Sequence, residues 1–158
     1  MIKQGDRLPS VDITVVSNNE KTTLAADAFF ADKKAVLFAV PGAFTPTCSN
    51  SHLPGYIALA KDFKASGIDT IACLSVNDAF VMQAWNKDQG ADDITMIADG
   101  DGALTKALGL EMETGHFGGL RSSRYAMIID HGEITLLNVE PPKTFEVSKA
   151  ETLLAALS

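Results

Sequence analysis

The fold is decided by one stretch of the sequence, Lys33-Lys-Ala-Val-Leu-Phe-Ala-Val-Pro-Gly42. Its apolar part, residues 35–40, is continuous, and a lysine pair and a Pro-Gly pair bound it on its two sides. A short continuous apolar run between such signals is typical of a strand whose two faces are both buried, as in a parallel sheet. The stretch therefore predicts the central strand of a sheet covered by helices.

The segments on either side of this strand predict how the sheet is completed. Strands are expected at residues 12–16, 21–24, 70–76 and 94–98, and a hairpin at 124–139. Helices are expected at residues 46–65, 77–88 (with Asn77 as N-cap), 103–108 and 147–157. Residues 111–123 carry several glycines without a clear period and are expected to form a loop. This order predicts an α/β protein with a thioredoxin-like mixed sheet and an N-terminal extension, forming one domain over residues 1–158.

Composition and charge limit the possible partners. The chain has 13 Lys and Arg against 20 Asp and Glu, a net charge of −7, and no basic segment interleaved with aromatic residues. This balance argues against nucleic acid and anionic membrane surfaces as partners. No apolar run approaches the roughly 20 residues of a membrane helix, and the first residues lack a signal-peptide pattern. We therefore expect a cytoplasmic protein.

The cysteines and histidines show no metal-binding or redox spacing. Cys48 and Cys73 form no C-x-x-C motif, and His52, His116 and His131 form no H-x-x-x-H motif. No metal site is expected from such a set. Cys73 lies inside a predicted core strand, which favours an inert buried thiol.

Cys48 has the surroundings of a reactive thiol. It follows the central strand closely, in the region where α/β sheets bind ligands. Thr45 is a good N-cap, and Pro46 suits the first helical position. Cys48 then lies in the first helical turn, where backbone N–H groups and the helix dipole stabilise a thiolate. The segment predicts a nucleophile.

His52 follows Cys48 by four residues and allows two interpretations. The two side chains could share a helix face, with His52 acting as general base for acyl transfer in a hydrolase. Alternatively, His52 bonds to neighbouring backbone or to a loop. Pro54, in the same predicted helix, is expected to kink it.

One long segment carries a family resemblance. Pro41-Gly-Ala-Phe-Thr-Pro-Thr-Cys48-Ser, followed by His52-Leu-Pro-Gly55, resembles the P-x-x-x-T-x-x-C signature of the peroxiredoxins. Its flanks resemble the type-five branch, and the likeness continues through residues 71–80 and 137–140. The resemblance implies a thiol peroxidase that reduces hydrogen peroxide and alkyl hydroperoxides. In such an enzyme, the Cys48 thiolate attacks peroxide and becomes a sulfenic acid.

The resemblance also implies roles for individual residues. Thr45 matches the threonine whose hydroxyl bonds peroxide and thiolate, and Pro41 matches the proline that shields the site from water. Arg124, rather than Arg121, matches the arginine that supports the cysteine. These groups suit the reaction, because attack on an O–O bond needs fixed donors along both oxygens.

Apolar walls and a homodimer are implied near the same site. Phe44 and Phe117 are the residues expected to line it. The family forms its homodimer through the face near the active-site loop.

One departure from the type-five pattern bears on recycling. Some members carry a second, resolving cysteine in a stretch that corresponds to residues 144–148, where this chain has none and Val147 stands near the position. The sulfenic acid is then expected to need an external thiol, first glutathione with glutaredoxin and second thioredoxin, and no cofactor. A non-enzymatic redox sensor or partner-binding module with the same residues is the alternative.

Overall fold

The computed structural model describes residues 1–157 of the chain. The strands are β1 (Asp12–Ser17), β2 (Glu20–Ala25), β3 (Lys34–Ala39), β4 (Thr70–Ser75), β5 (Thr95–Ala98), β6 (Glu111–Glu113), β7 (Leu120–Ser122), β8 (Tyr125–Asp130) and β9 (Glu133–Val139). The α-helices are α1 (Ala26–Phe30), α2 (Leu53–Ala58), α3 (Ala60–Ala65), α4 (Ala79–Gln89), α5 (Ala103–Leu108) and α6 (Ala150–Ala156). A π-helical turn, Cys48–His52, precedes α2.

Within residues 1–157, seven strands form one sheet in the order β2-β1-β5-β4-β3-β8-β9. Strands β3, β4 and β5 are parallel, and the other pairs in this sheet are antiparallel. This arrangement confirms the predicted α/β class with a thioredoxin-like mixed sheet flanked by helices.

The central strand β3 is buried on both faces, as predicted. Val36 and Phe38 face one apolar cluster, which includes residues of α2, α3, α4 and α6. Ala35, Leu37 and Ala39 face a second cluster on the other side, with residues of α1 and α5. All five side chains are fully excluded from solvent. Two cores therefore hold β3 and fix the position of the loop that follows it.

Four predictions about individual elements differ from the structure. The helix expected at 46–65 is interrupted by the π-helical turn and again at Leu59, whose φ of −101° and ψ of 9° lie outside the helical range. The expected loop at 111–123 contains the short antiparallel pair β6–β7. Asp78, not Asn77, caps α4, because its carboxylate accepts the Val81 N–H. The last helix begins at Ala150, three residues later than predicted.

The carboxyl ends of β3 and β4 bring two loops together. Ser75 and Asn77 follow β4, and the Asn77 side-chain oxygen accepts bonds from the Ala43 N–H at 3.1 Å and the Ser75 hydroxyl at 2.5 Å. Asn77 therefore ties the loop after β3 to the end of β4. None of the helices in residues 1–157 is long and apolar enough to cross a membrane.

Candidate active site

Cys48 lies in the first turn of a helical segment that begins at Pro46. The Ser49 N–H donates to the Thr45 carbonyl at 2.9 Å, which makes Cys48 the third helical residue. The Cys48 side chain is only 1% exposed and packs within the first apolar cluster. The thiol is therefore held at the end of the central strand and shielded from bulk water.

The helix widens directly after Cys48. The Leu53 N–H donates to the Cys48 carbonyl, five residues back, and closes the π-helical turn. Pro54 then stands at the start of α2, where its missing N–H is tolerated. The irregularity in this predicted helix is thus a wider turn that directly precedes α2 and Pro54. Such turns often occur at functional sites.

Thr45 and Gly42 form a tight corner next to the cysteine. The Thr45 hydroxyl donates to the Gly42 carbonyl at 2.6 Å and accepts no bond from a helix N–H, so its side chain does not cap the helix as predicted. Its lone pairs are left to accept a bond from a ligand. A Cβ on Gly42 would lie 3.1 Å from the Thr45 methyl carbon, so this corner is tight at Gly42.

Arg124 contacts the sulfur of Cys48. It immediately precedes β8, whose antiparallel register beside β3 pairs Tyr125 with Ala39. Its Nη2 donates to the Cys48 Sγ at 3.3 Å, and its Nη1 donates to the His52 Nδ1 at 2.8 Å. A guanidinium is permanently charged, so it stabilises a thiolate at this distance.

His52 is fully buried between Arg124 and the backbone of Ser148. Its Nε2 lies 3.1 Å from the Ser148 carbonyl, which can only accept, so the network assigns the proton to Nε2. Burial, and next the charge of Arg124, lower the pKa of His52 to about 3. The imidazole is therefore neutral, and both its nitrogens are occupied. It does not serve as a general base for Cys48, which removes the structural support for the hydrolase interpretation.

The neutral state of His52 predicts how the stability of the folded protein depends on pH. In the unfolded chain His52 binds a proton below about pH 6.5, whereas the folded protein resists protonation down to about pH 3. Stability conferred by the neutral state is therefore present above pH 6.5 and is lost progressively as the pH falls towards 3. The loss reaches at most about 1.4 kcal/mol per pH unit. The free energy of unfolding, measured with urea between pH 7 and pH 3, should fall less steeply for His52→Gln than for wild type. Parallel pH dependences would contradict the assignment of a neutral His52.

Residues 140–148 form a loop over the far side of His52. The Ser148 carbonyl accepts a second bond, from the Tyr56 hydroxyl at 2.7 Å. The Phe145 ring lies 5.0 Å from the His52 ring, and Arg124 lies 5.7 Å from the centre of the Phe145 ring. Sequence reasoning did not select Ser148, Phe145 or Glu140. Of these, only Glu140 fell in a segment with family resemblance.

A cavity of about 490 Å³ opens beside Arg124. It is lined by Pro41, Thr47, Met112, Ser123, Arg124, Glu140, Pro141, Pro142, Lys143, Thr144 and Phe145. Its aromatic wall is Phe145, whereas Phe44 and Phe117, expected as walls, lie outside it and are 52% and 65% exposed. The backbone of Phe44 adopts a left-handed conformation, with φ of 65°.

Cys73 lies in β4, opposite Phe38 of β3. It is completely buried, and burial raises the pKa of its thiol well above the usual value. Neither cysteine is in a disulfide. Cys73 is thus held as an unreactive core thiol, whereas Cys48 has a cationic partner.

The arrangement can support nucleophilic attack by sulfur. The three residues selected from the sequence lie close to it in different ways. Arg124 contacts the sulfur, Thr45 stands at the start of the helical turn that carries Cys48, and Pro41 lines the neighbouring cavity with Arg124. Among residues 1–157, there is no group of three or more His, Cys, Asp or Glu side chains that could hold a metal ion. The chemistry available to this site is that of a cysteine sulfur beside a fixed cation.

Comparison with known proteins gives consistent matches over nearly the whole chain. A family model described as Redoxin matches residues 3–154. Peroxiredoxin-2D of Arabidopsis thaliana is 46% identical, over 99% of this chain and 98% of the relative. A reduced Prx3 from Vibrio vulnificus, crystallised in complex with H2O2, is 61% identical with a TM-score of 0.97, covering 100% of both chains. Peroxiredoxin 5 from Alvinella pompejana is 37% identical with a TM-score of 0.87, covering 99% of this chain and 98% of that one.

Proposed function

The chain belongs to the peroxiredoxins, in the branch of peroxiredoxin 5, and is a thiol-dependent peroxidase; we propose that it works in the one-cysteine mode. In this proposal Cys48 reduces hydrogen peroxide and alkyl hydroperoxides, and an external thiol returns it to the reduced state. The cycle uses no cofactor.

The first step transfers one oxygen atom to sulfur. The Cys48 thiolate attacks one peroxide oxygen, an S–O bond forms as the O–O bond breaks, and the other oxygen leaves as hydroxide or alkoxide and takes a proton. Sulfur is oxidised to a sulfenic acid, and the peroxide is reduced to water or an alcohol. The Arg124 contact with the Cys48 Sγ, at 3.3 Å, is the observation that carries this assignment.

The position of Cys73 supports recycling by an external thiol. The sequence has two cysteines, and Cys73 is completely buried within β4. The sulfenic acid of Cys48 then reacts with an incoming thiol, forming a mixed disulfide and releasing water. A second thiol attacks that disulfide, which regenerates the Cys48 thiol and releases the reductant as its own disulfide.

The charge of the cavity favours an anionic thiol as the reductant. Lys143 and Arg124 are the cations of its lining, and Glu140, the one carboxylate there, is occupied by hydrogen bonds from its own loop. This pair of cations suits the carboxylates of glutathione, although the chain as a whole is acidic. We therefore place glutathione, with glutaredoxin, before thioredoxin as the donor.

Location and assembly complete the proposal. Both cysteines are free thiols, which suits a reducing compartment such as the cytoplasm. The exposed rings of Phe44 and Phe117 are apolar contacts that a homodimer would cover.

Intact mass tests the one-cysteine mode directly. Reduced protein is treated with one equivalent of hydrogen peroxide, weighed, and weighed again after glutathione is added. The expected result is one added oxygen followed by one glutathione adduct, both absent from Cys48→Ser. A loss of two hydrogens, with no adduct, would establish a Cys48–Cys73 disulfide and overturn the one-cysteine mode.

A further inference from the structure

We propose that Glu140 is a positioning residue for peroxide reduction, whose carboxylate shapes the loop 141–148 so that the loop holds His52 and, through it, Arg124 against Cys48. The inference rests on the thiol peroxidase activity of the chain and on no particular reductant. Glu140 does not touch Cys48; its effect is transmitted through four successive contacts.

The first contact joins Glu140 to its own loop. Its Oε2 accepts bonds from the Glu146 N–H at 2.7 Å, the Ser148 N–H at 2.8 Å and the Ser148 hydroxyl at 2.7 Å. Its Oε1 accepts the Thr144 hydroxyl at 2.9 Å. Its own N–H donates to the Arg124 carbonyl at 2.9 Å. One residue therefore ties the backbone of Arg124 to three residues of the loop.

The other hydrogen bonds that tie this loop to the rest of the chain are made by its carbonyls, because Tyr56, Asn138 and Thr152 donate to those of Ser148, Val147 and Glu146. The N–H groups of Glu146 and Ser148, by contrast, have the Glu140 carboxylate as their acceptor.

Pro141 and Pro142 follow Glu140 directly and have no N–H to donate. Burial by itself raises the pKa of Glu140, but the hydrogen bonds from Ser148, Glu146 and Thr144 outweigh it, and the pKa lies below its usual value. The side chain is thus an ionised carboxylate that serves as the common acceptor for the loop.

The other three contacts lead from the loop to the sulfur. The loop presents the Ser148 carbonyl to the His52 Nε2 at 3.1 Å, which leaves the Nδ1 as the acceptor for Arg124. Arg124 then directs its Nη2 to the Cys48 Sγ. Phe145, from the same loop, packs against both His52 and Arg124. If the loop shifts, these supports of the guanidinium move together.

Glu140→Gln tests the first contact with almost no change in shape. A glutamine offers one neutral acceptor oxygen in place of a charged carboxylate, so the three bonds to Oε2 weaken. Its amide N–H2 also reverses the bond with the Thr144 hydroxyl, which must then donate to the Pro141 carbonyl alone. Glu133→Gln is the matched control. It makes the same charge change on β9, the strand that leads to Glu140, and its exposed side chain makes no hydrogen bond in the described structure.

The measurement is the rate of Cys48 oxidation in a single turnover with hydrogen peroxide and no reductant. Trp85, the one tryptophan, reports it by fluorescence, because its indole N–H donates to the hydroxyl of Ser49, next to Cys48. We expect Glu140→Gln to be about 10- to 100-fold slower, since a misplacement of about 1 Å can cost about 10²-fold. Glu133→Gln should match wild type. Equal rates for Glu140→Gln and wild type would overturn the inference.

A double-mutant cycle separates positioning from general loosening of the fold. If Glu140 acts through Arg124, Glu140→Gln should slow the Arg124→Ala variant by less than about twofold. A full additional loss in that background would overturn the inference. Should Glu140→Gln fold poorly, Ser148→Ala removes one donor to Glu140 and keeps the Ser148 carbonyl. A smaller but measurable slowing, again absent in the Arg124→Ala background, would support the same route. A wild-type protein that fails to react with peroxide would instead contradict the proposed function.

Discussion

Cys48→Ser should abolish peroxide reduction. A serine hydroxyl is not ionised at neutral pH, so the nucleophile is lost even though the side chain keeps nearly the same shape. Cys73 cannot replace it, because that thiol is completely buried and its pKa is raised by burial. Peroxide consumption with a thiol donor in excess is the measurement.

The matched control for this prediction is Cys73→Ala. It removes the other thiol of the chain without adding a polar atom to the core. We expect turnover near the wild-type rate, with some loss of stability from the small cavity. Peroxide-dependent turnover that survives in Cys48→Ser, or is lost in Cys73→Ala, would show that the wrong cysteine has been assigned.

Arg124→Ala should slow the oxidation of Cys48 by about 10²–10³-fold, the cost of removing one preorganised donor from a reaction centre. The variant loses the donor to the Cys48 Sγ and leaves the His52 Nδ1 without its partner. The rate is measured in a single turnover with hydrogen peroxide, and Cys48→Ser, which lacks the reacting thiol, gives the background signal.

Arg124→Lys is the informative companion. A lysine ammonium is a single point charge, whereas the guanidinium reaches the sulfur and the imidazole with two separate nitrogens. The lysine variant should therefore recover only a small part of the rate. Rates within about threefold of wild type for Arg124→Ala would remove the arginine from the mechanism.

The local parts of the fold and site were predictable because short-range forces determine them. The apolar run of β3 requires burial on both faces, and the structure provides it. Pro46 fixes the start of the helix, and so places Cys48 in its first turn. Each of these features depends on residues within a few positions of one another.

The errors occurred where a local signal was weak. Strands β6 and β7 are three residues long, too short to show a period, and they were predicted as loop. Thr45 was predicted as the helix cap from its residue type and its place before Pro46. The side chain instead bonds back to the Gly42 carbonyl, at a corner that the residue type does not indicate.

The sequence is enough to predict Cys48 as the nucleophile and to establish the central strand and the class of fold. Arg124 was selected only through the family resemblance, and the contacts that support the Cys48 sulfur depend on the tertiary structure. Arg124 lies 76 residues from Cys48, and Ser148 lies 96 residues from His52. Their contacts depend on the register of β8 against β3 and on the return of the loop after β9. Hydrogen bonds between such distant residues form only when packing has fixed both backbones, so no local pattern encodes them.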